Sequence, residues 1–228
     1  AIFCLLLLWP AAASVQAQES FESKAEEAIL LDANSGLVLY EKNADAPIEP
    51  ASMSKLMTMT MVFEALARKD ITLDTEFPVS VDAWKRGGSP SGGSTMYAAV
   101  NSRIKVSDLM RGAIIQSAND ACIVFAEALA GTEEAFAARM TARAKELGLK
   151  NAVFKNATGL PDPEHLMSVR DLTILARNII KTYPEYYKIY GERSFTWNKI
   201  EQQNRNPLLA DYPGADGMKT GYTRQAGY

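Results

Sequence analysis

The chain is poor in the residues that most often carry metal or redox chemistry: its 228 residues include two cysteines and a single histidine. No group of histidine, cysteine, aspartate and glutamate has the spacing of metal ligands, so we expect no metal and no other cofactor. A Ser-His-Asp triad would have to use His165, which lies in the loop-like stretch 161–165, and we expect it not to be catalytic. Cys122 lies in an apolar helical context, which is typical of a core residue rather than of a nucleophile.

A strong excess of charge is also lacking. The chain has 24 lysines and arginines against 27 aspartates and glutamates, a formal net charge of −3. This balance gives no indication of a nucleic-acid partner, and no glycine-rich strand-to-helix loop fits a phosphate. With 47% hydrophobic and 22% charged residues, the composition is that of an ordinary globular protein.

Long apolar runs are missing as well. The run at residues 2–13 is too short to span a bilayer, and Val15-Gln16-Ala17 after it has the small-x-small pattern of a signal-peptidase site. We expect an exported protein, located in the periplasm or at the outer face of the cytoplasmic membrane. Residues 1–17 would be a signal peptide clipped at its start, and 18–228 one catalytic domain. Cys122 would then be alone in the mature chain, which excludes an intramolecular disulfide.

The hydrophobic pattern predicts an α+β fold. Residues 28–31 and 37–40 read as strands of a hairpin, with turn-forming residues between them. A helix is predicted from Ser52 to about Arg68, and because its apolar residues cover most of its circumference, it belongs in the core. Strands at both ends would join one antiparallel sheet. The other predicted elements are a loop at 87–94, helices near 107–116, 119–130, 133–147 and 168–182, the last with a Ser168–Asp171 capping box, a short helix after Pro184, and strands near 193–197 and 215–223.

The start of the predicted core helix carries a reactive pair. Ser52 and Lys55 are three residues apart and share a helix face, so the amine can reach the hydroxyl. A serine becomes a good nucleophile when a base takes its proton, and burial drives a lysine towards the neutral form that can do so. The spacing alone is weak, because Ser102 and Lys105 repeat it. That second pair lies in a polar, extended stretch where residues three apart point to opposite faces.

Two further polar groups accompany this pair. Ser117-Ala118-Asn119 falls between two apolar helical runs, where its side chains either project into a cleft or cap the second helix. Lys219-Thr220-Gly221 lies in a strand-like stretch, and its lysine and threonine are good partners for a carboxylate. A solvated edge strand is the alternative interpretation for that stretch.

The ordered trio Ser-x-x-Lys, Ser-x-Asn and Lys-Thr-Gly resembles that of the serine penicillin-recognising enzymes. The surrounding segments 50–58, 115–121, 156–160 and 216–223 resemble low-molecular-mass D-alanyl-D-alanine carboxypeptidases, which are penicillin-binding proteins. The resemblance extends from about residue 28 to residue 228. It implies a β-lactamase/transpeptidase-like fold, with an antiparallel sheet flanked by a helical subdomain.

The resemblance also implies the activity and its residues. The enzyme would remove the terminal D-alanine of peptidoglycan stem peptides, and β-lactams would acylate it. Tyr222 stands where the best-known relatives carry histidine, so its backbone N–H would serve the oxyanion hole, and Ala118 stands where many relatives carry glycine or aspartate. The implied catalytic residues are Ser52, Lys55 and Ser117, and the implied substrate-binding residues are Asn119, Lys219, Thr220, Gly221 and Tyr222.

The resemblance further implies parts of the family that would lie beyond Tyr228. These are the remaining strands of the sheet, a C-terminal helix, a basic residue that helps to hold the substrate carboxylate, a second β-rich domain and an amphipathic membrane anchor.

Two alternatives remain open. A class A β-lactamase would need an acidic residue for deacylation, but its Glu-x-x-Leu-Asn pattern is absent between Asn119 and Lys219, and Glu164 does not supply it. A catalytically silent cell-wall binding module of the same fold is the second alternative.

Overall fold

Helices make up most of the structure, a computed structural model that describes residues 21–224 and 226–227. The strands are short and occur in pairs. The helices are α1 (Lys55–Ala67), α2 (Val81–Gly87), α3 (Val106–Ile115), α4 (Asn119–Ala130), α5 (Glu133–Glu146), α6 (Val169–Thr182), α7 (Pro184–Tyr187) and α8 (Leu208–Asp211). The strands are β1 (Ala28–Leu31), β2 (Val38–Lys42), β3 (Glu76–Pro78), β4 (Arg103–Lys105), β5 (Ser194–Trp197) and β6 (Ile200–Gln203), and short 3₁₀ turns cover Ala51–Ser54, Ser89–Ser91 and Lys188–Gly191.

The predicted N-terminal hairpin is confirmed. Strands β1 and β2 pair antiparallel with Leu30 opposite Tyr40. The Asp32 carboxylate accepts hydrogen bonds from the backbone and the hydroxyl of Ser35, and Gly36 adopts a φ of +82° that glycine tolerates without strain. The turn chemistry read from residues 32–36 therefore closes this hairpin.

The prediction of one antiparallel sheet is wrong for the described residues. They form three separate two-stranded sheets, β1–β2, β3–β4 and β5–β6. The strand predicted near 215–223 is also wrong: residues 215–222 have no ladder partner, and Thr223 makes only an isolated bridge to Gly227. An extended segment becomes a strand only when a neighbour pairs with it, and the local sequence does not specify that neighbour.

Strand β6 was not predicted, although its turn signal is present. Asn198 and Lys199 form a two-residue connection between the paired residues Trp197 and Ile200. Their φ angles are +46° and +65°, the left-handed values that a type I′ hairpin turn requires.

Helix α1 is buried on nearly all sides, as predicted. Met57, Val62 and Phe63 have no exposed surface, and the Phe63 ring stacks on Tyr186 with centroids 5.0 Å apart. Helices α3, α4, α5 and α6 all contact α1. Each large apolar side chain buried here contributes about 1.5–3 kcal/mol, so the start of α1 is held in a rigid core.

The start of α6 has the predicted capping box. The Ser168 hydroxyl accepts from the backbone N–H of Asp171, and the Asp171 carboxylate accepts from the backbone of Ser168. The same carboxylate accepts from the backbone N–H groups of Lys150 and Asn151, at 2.9 Å each. Asp171 therefore fixes the connection after α5 to the start of α6.

Residues 156–159 pack against the turn that precedes α1. Gly159 has a φ of +78°, and a β-carbon there would lie 1.9 Å from the carbonyl oxygen of Ala51. Backbone meets backbone at this point, so neither side can move away without disturbing the start of α1.

Replacing Gly159 with alanine should therefore lower the free energy of unfolding by more than about 3 kcal/mol, because strain and a backbone clash add together. Gly148 is the matched control, with a φ of +82° and open space where a β-carbon would be. Gly148→Ala should lose only the left-handed strain, about 1–2 kcal/mol. Urea unfolding measures both changes, and equal losses in the two variants would show that the close packing at Ala51 is absent.

Candidate active site

Ser52 lies in the 3₁₀ turn that precedes α1, and Lys55 is the first residue of that helix. In a 3₁₀ turn, side chains three residues apart lie directly above one another. The Lys55 Nζ donates to the Ser52 Oγ at 3.0 Å. Ser52 is partly exposed, whereas Lys55 is only 1% exposed. The pair thus joins the hydroxyl of a partly exposed serine to a buried amine.

The buried amine of Lys55 is held by neutral oxygens. Besides Ser52, it donates to the Asn119 Oδ1 at 2.8 Å and to the Thr158 carbonyl at 2.5 Å. Within the described chain no carboxylate makes an ion pair with it. The pKa of Lys55 is lowered to about 8, chiefly by burial and in addition by the charge of Arg205, against the opposing effect of nearby acidic groups. Lys55 is therefore suited to act as a base near neutral pH.

Asn119 is the first residue of α4, and its side chain does not cap that helix. The N-cap position is Ala118, which offers no side-chain acceptor. The Asn119 backbone N–H donates to the Ser94 carbonyl at 2.8 Å, which leaves the side chain directed at Lys55. The Asn119 side chain therefore does not cap the helix, and it contacts the buried Lys55 rather than lining the cleft.

Ser117 precedes α4 in a strained conformation. Its φ is +63°, which is unusual for a residue with a side chain. Its Oγ is buried and has no hydrogen-bond partner among the described residues. A buried hydroxyl that is left unpaired is destabilising, and such a feature is found where a site is built for a ligand or a reaction.

Asp120 was not singled out by sequence reasoning, yet it shapes one wall of the site. Its buried carboxylate accepts from the Thr95 hydroxyl at 2.6 Å and from the backbone N–H groups of Met96 and Ala98. These bonds fix the loop that carries Ser94 against the start of α4. Burial raises the pKa of Asp120, and the hydrogen bonds oppose that shift.

Residues 156–159 supply the third acceptor of Lys55. The Asn156 Oδ1 accepts from the backbone N–H groups of Thr158 and Gly159, at 3.1 and 2.7 Å. The Thr58 hydroxyl donates to the Ala157 carbonyl at 2.7 Å. These bonds direct the Thr158 carbonyl at Lys55. Because the acceptor is a backbone oxygen, no residue type in the sequence indicates this role.

Lys219, Thr220 and Gly221 run beside the Ser52 turn as an extended segment. A β-carbon on Gly221 would lie 3.1 Å from the Met53 backbone nitrogen, so glycine permits this close approach. The Lys219 Nζ donates to the Thr220 carbonyl at 2.8 Å. Burial, followed by the like charge of Lys55, holds the pKa of Lys219 well below its ordinary value, although its surface is partly exposed.

These segments meet at one cleft of about 700 Å³. Lys55 and Asn119 lie buried behind the surface at which the Ser52 hydroxyl opens. The cleft is lined by Ser52, Gly92, Gly93, Ser94, Ser117, Arg205, Pro207, Thr220, Gly221 and Tyr222.

Arg205 is a cleft residue that the sequence reasoning missed, since a basic residue for the carboxylate was expected beyond Tyr228. Its neighbours hold its loop: Asn204 donates to the Glu192 carbonyl at 2.9 Å, and Asn206 donates to the Gly217 carbonyl at 2.7 Å. The sequence signal for a held loop was the asparagine on either side of Arg205. The cleft lining therefore includes a positively charged side chain.

The second Ser-x-x-Lys pair lies outside the cleft. Residues 103–105 form β4, in which Ile104 is buried while Arg103 and Lys105 are exposed. Lys105 donates to Asp74 at 2.8 Å instead of to Ser102. The prediction of an extended stretch is confirmed.

His165 and Cys122 are both buried, and neither is among the residues that line the cleft. The His165 ring packs edge-on against Phe154 with centroids 5.5 Å apart, and its Nδ1 accepts from the Lys155 backbone at 3.4 Å. It makes no hydrogen bond to a serine hydroxyl within the described residues. Cys122 is a free, buried core residue, as predicted.

Two features are absent from the described ranges. Residues 21–224 and 226–227 contain no helix that is long and apolar enough to cross a membrane. The same residues contain no group of three or more potential ligands arranged to hold a metal ion. The predicted signal peptide at 1–17 lies outside the described residues.

Comparison with known proteins gives a family match over nearly the whole chain. The D-alanyl-D-alanine carboxypeptidase family, peptidase S11, matches residues 12–228. D-alanyl-D-alanine carboxypeptidase DacC of Escherichia coli (strain K12) is 42% identical over 228 residues, which are 99% of this chain and 57% of the relative. The chain spans about half the length of the curated relatives it matches.

Solved structures give the same result for the fold. Penicillin binding protein 5 from Haemophilus influenzae matches with a TM-score of 0.88 at 40% identity, over 93% of this chain and 61% of that one. Penicillin-Binding Protein D2 from Listeria monocytogenes, in the cefotaxime bound form, matches with a TM-score of 0.78 at 31% identity, over 91% and 83%. The predicted α+β fold of the transpeptidase/β-lactamase class is confirmed.

The burial of His165 predicts a pH-dependent stability. Burial lowers its pKa to about 4, below the ordinary 6.5. As the pH falls below 6.5, His165 becomes protonated in the unfolded chain but stays neutral in the folded chain. The contribution of His165 to the free energy of unfolding is therefore complete above pH 6.5 and is lost towards pH 4. We expect wild type to lose about 1–2 kcal/mol more than His165→Gln between pH 7 and pH 5, measured by urea unfolding. Parallel losses in the two proteins would contradict this account of His165.

Proposed function

Because this chain belongs to the D-alanyl-D-alanine carboxypeptidase family, we propose that it carries the catalytic centre of a serine D-Ala-D-Ala carboxypeptidase. The reaction would remove the terminal D-alanine from peptidoglycan stem peptides. The observation that carries the proposal is the partly exposed Ser52 hydroxyl, which accepts a hydrogen bond from a buried lysine of lowered pKa and opens into a cleft.

In the first step, Ser52 attacks the carbonyl carbon between the two D-alanines. The Ser52 Oγ forms the new C–O bond while its proton passes to the neutral Nζ of Lys55. The 3.0 Å contact between these atoms is within the reach that general-base catalysis requires. Asn119 and the Thr158 carbonyl hold the amine in that position.

The negative charge that develops on the substrate oxygen needs donors close to Ser52. The backbone N–H groups of Ser52 and Tyr222 would form this oxyanion hole, and losing one such donor typically costs about 3–4 kcal/mol of transition-state stabilisation. The close packing of Gly221 against Met53 supports the proposal, since it brings the segment that carries Tyr222 next to the nucleophile turn.

The terminal carboxylate of the substrate needs positive partners. Thr220 and Arg205 line the cleft, Lys219 directly precedes Thr220, and the charge of Arg205 acts on both Lys55 and Lys219. A bound carboxylate would offset the mutual repulsion of these cations. The cleft thus favours a substrate that ends in a negative charge.

The second half of the reaction needs a proton for the departing D-alanine. Ser117 would relay it from Lys55 to the leaving nitrogen as the C–N bond breaks, which leaves an ester on Ser52. The unpaired, buried Oγ of Ser117 at the cleft wall supports this role. Water then hydrolyses the ester and restores the Ser52 hydroxyl.

The same chemistry explains why β-lactams should react with this centre. A β-lactam presents a strained amide to the serine together with a carboxylate for the cationic side of the cleft. The relative in the cefotaxime bound form supports this extension. We also propose that the protein acts outside the cytoplasm, where peptidoglycan is accessible, in keeping with the predicted signal peptide.

Replacing Ser52 with alanine should abolish both covalent labelling by a fluorescent penicillin and release of D-alanine from an acyl-D-Ala-D-Ala peptide. Ser54→Ala is the matched control, because Ser54 lies in the same turn but its hydroxyl is buried on the Ala51 carbonyl. Ser54→Ala should retain labelling. Persistent labelling of Ser52→Ala would refute the nucleophile, and rapid nitrocefin turnover without D-alanine release would favour a β-lactamase.

The rate of acylation should follow the neutral form of Lys55. Because protonated Lys55 cannot accept the serine proton, the second-order rate constant for penicillin should rise about tenfold per pH unit below the midpoint and level off above it. The midpoint should lie near pH 8. In Arg205→Gln the midpoint should move to higher pH, since a positive charge that opposes protonation is lost. A rate that does not change between pH 6 and pH 9 would contradict the role of Lys55.

A further inference from the structure

The Thr158 carbonyl can orient Lys55 only if its own peptide is held in place. A backbone oxygen has no side-chain torsion with which to adjust, so its position depends on the contacts of the neighbouring peptide. The two peptides before it are each held by one contact. The Thr58 hydroxyl donates to the carbonyl of the Ala157–Thr158 peptide, and the N–H of the Asn156–Ala157 peptide donates to the Glu133 Oε1 at 2.9 Å.

Glu133 is a buried carboxylate at the first residue of α5. It is 5% exposed, and its position at a helix N-terminus favours a negative charge. A buried carboxylate also needs a partner, and the Arg86 Nη1 donates to the Glu133 Oε2 at 2.6 Å. The carboxylate therefore joins Arg86 on one side to the Ala157 peptide on the other.

Arg86 is in turn anchored on α2. Its Nε donates to the Asp82 carboxylate at 2.9 Å, one turn earlier on the same helix. The next residue, Gly87, packs so closely on α4 that a β-carbon would lie 2.4 Å from the Asp120 backbone nitrogen. Helix α2 is thus fixed beside Asn119 and, through Arg86 and Glu133, is connected to Ala157 in the segment that carries the Thr158 carbonyl. Asn119 and that carbonyl are two of the three groups that hold Lys55.

Glu133 also acts on Lys55 through its charge. Glu133 and Asp120 favour the protonated amine, whereas Arg205 opposes it. Two more titratable groups lie nearby: burial raises the pKa of Cys122 to about 12 and lowers that of His165 to about 4, so both are neutral near pH 8. The charge on Glu133 is therefore one of few negative charges that face Lys55 at working pH.

We propose that Glu133 and Arg86 form a positioning pair for the proposed reaction: Glu133 holds the Ala157 N–H and so fixes the segment in which the Thr158 carbonyl holds Lys55 at Ser52, and Arg86 holds Glu133. This inference rests on the proposed function for its kinetic consequence. Neither residue touches the substrate cleft, so their effect passes through Lys55.

Two substitutions at Glu133 separate its anchoring role from its charge. Glu133→Ala removes the acceptor of the Ala157 N–H, and we expect the acylation rate on its high-pH plateau to fall about 10–100-fold, the loss typical of a misplaced catalytic group. Glu133→Gln keeps an acceptor oxygen but removes the charge. Its plateau should fall by less than that of Glu133→Ala, and its midpoint should move to lower pH because a charge that favours protonated Lys55 is lost.

Arg86→Met and Asp82→Asn test the other half of the pair. Arg86→Met leaves Glu133 without its cation, and its plateau should fall several-fold. Asp82→Asn is the matched control: it removes the exposed partner of Arg86 but leaves the bond to Glu133. We expect the plateau and the midpoint of Asp82→Asn to match those of wild type.

Hydrogen exchange of the Ala157 amide gives a readout that does not need activity. We expect this amide to lose protection in Glu133→Ala and to keep it in Asp82→Asn. Retained protection in Glu133→Ala, or wild-type kinetics in both Glu133 variants, would overturn the inference. If Glu133→Ala does not fold, a wild-type plateau in Arg86→Met overturns it instead. If even wild type is not acylated, the proposed function fails, while exposure of the Ala157 amide would still support the anchoring role.

Discussion

The burial of one amine without a countercharge is the constraint on which the site depends. Lys55 lies at the base of the cleft, where desolvation disfavours its charged form, and only neutral oxygens accept its hydrogen bonds. Those oxygens come from three separate segments of the chain, at Ser52, Asn119 and Thr158. The amine therefore connects the three segments by hydrogen bonds. The segments in turn bury it, so that its neutral form is populated near pH 8 and can accept a proton.

The rest of the fold can be understood as support for those segments. The buried helix α1 holds the turn of Ser52, the Asp120 carboxylate fixes the loop that meets α4, and Glu133 holds the Ala157 N–H, one residue before Thr158. Lys219 adds a second amine, whose pKa is lowered by burial and then by the positive charges of Lys55 and Arg205. Like charges so close together are unfavourable in the free protein, which prepares the cleft for a ligand with a carboxylate.

Local rules predicted the parts of the fold that local chemistry determines. The turn at 32–36, the capping box of Ser168 and the Ser52–Lys55 spacing each involve residues within a few positions of one another, and each was found as expected. The meeting of the polar groups was expected from a resemblance to a family rather than from spacing.

The remainder required tertiary structure. A backbone acceptor such as the Thr158 carbonyl has no signature in the sequence, and an arginine at position 205 differs from other arginines only by the loop that directs it. The prediction of a strand near 215–223 was wrong for the same reason, since strand pairing depends on a partner that is distant in sequence.

A direct test of the whole account is an NMR titration of the Lys55 side chain in the folded protein. The account predicts a midpoint near pH 8; a midpoint near the ordinary lysine value, about 10.4, would contradict it.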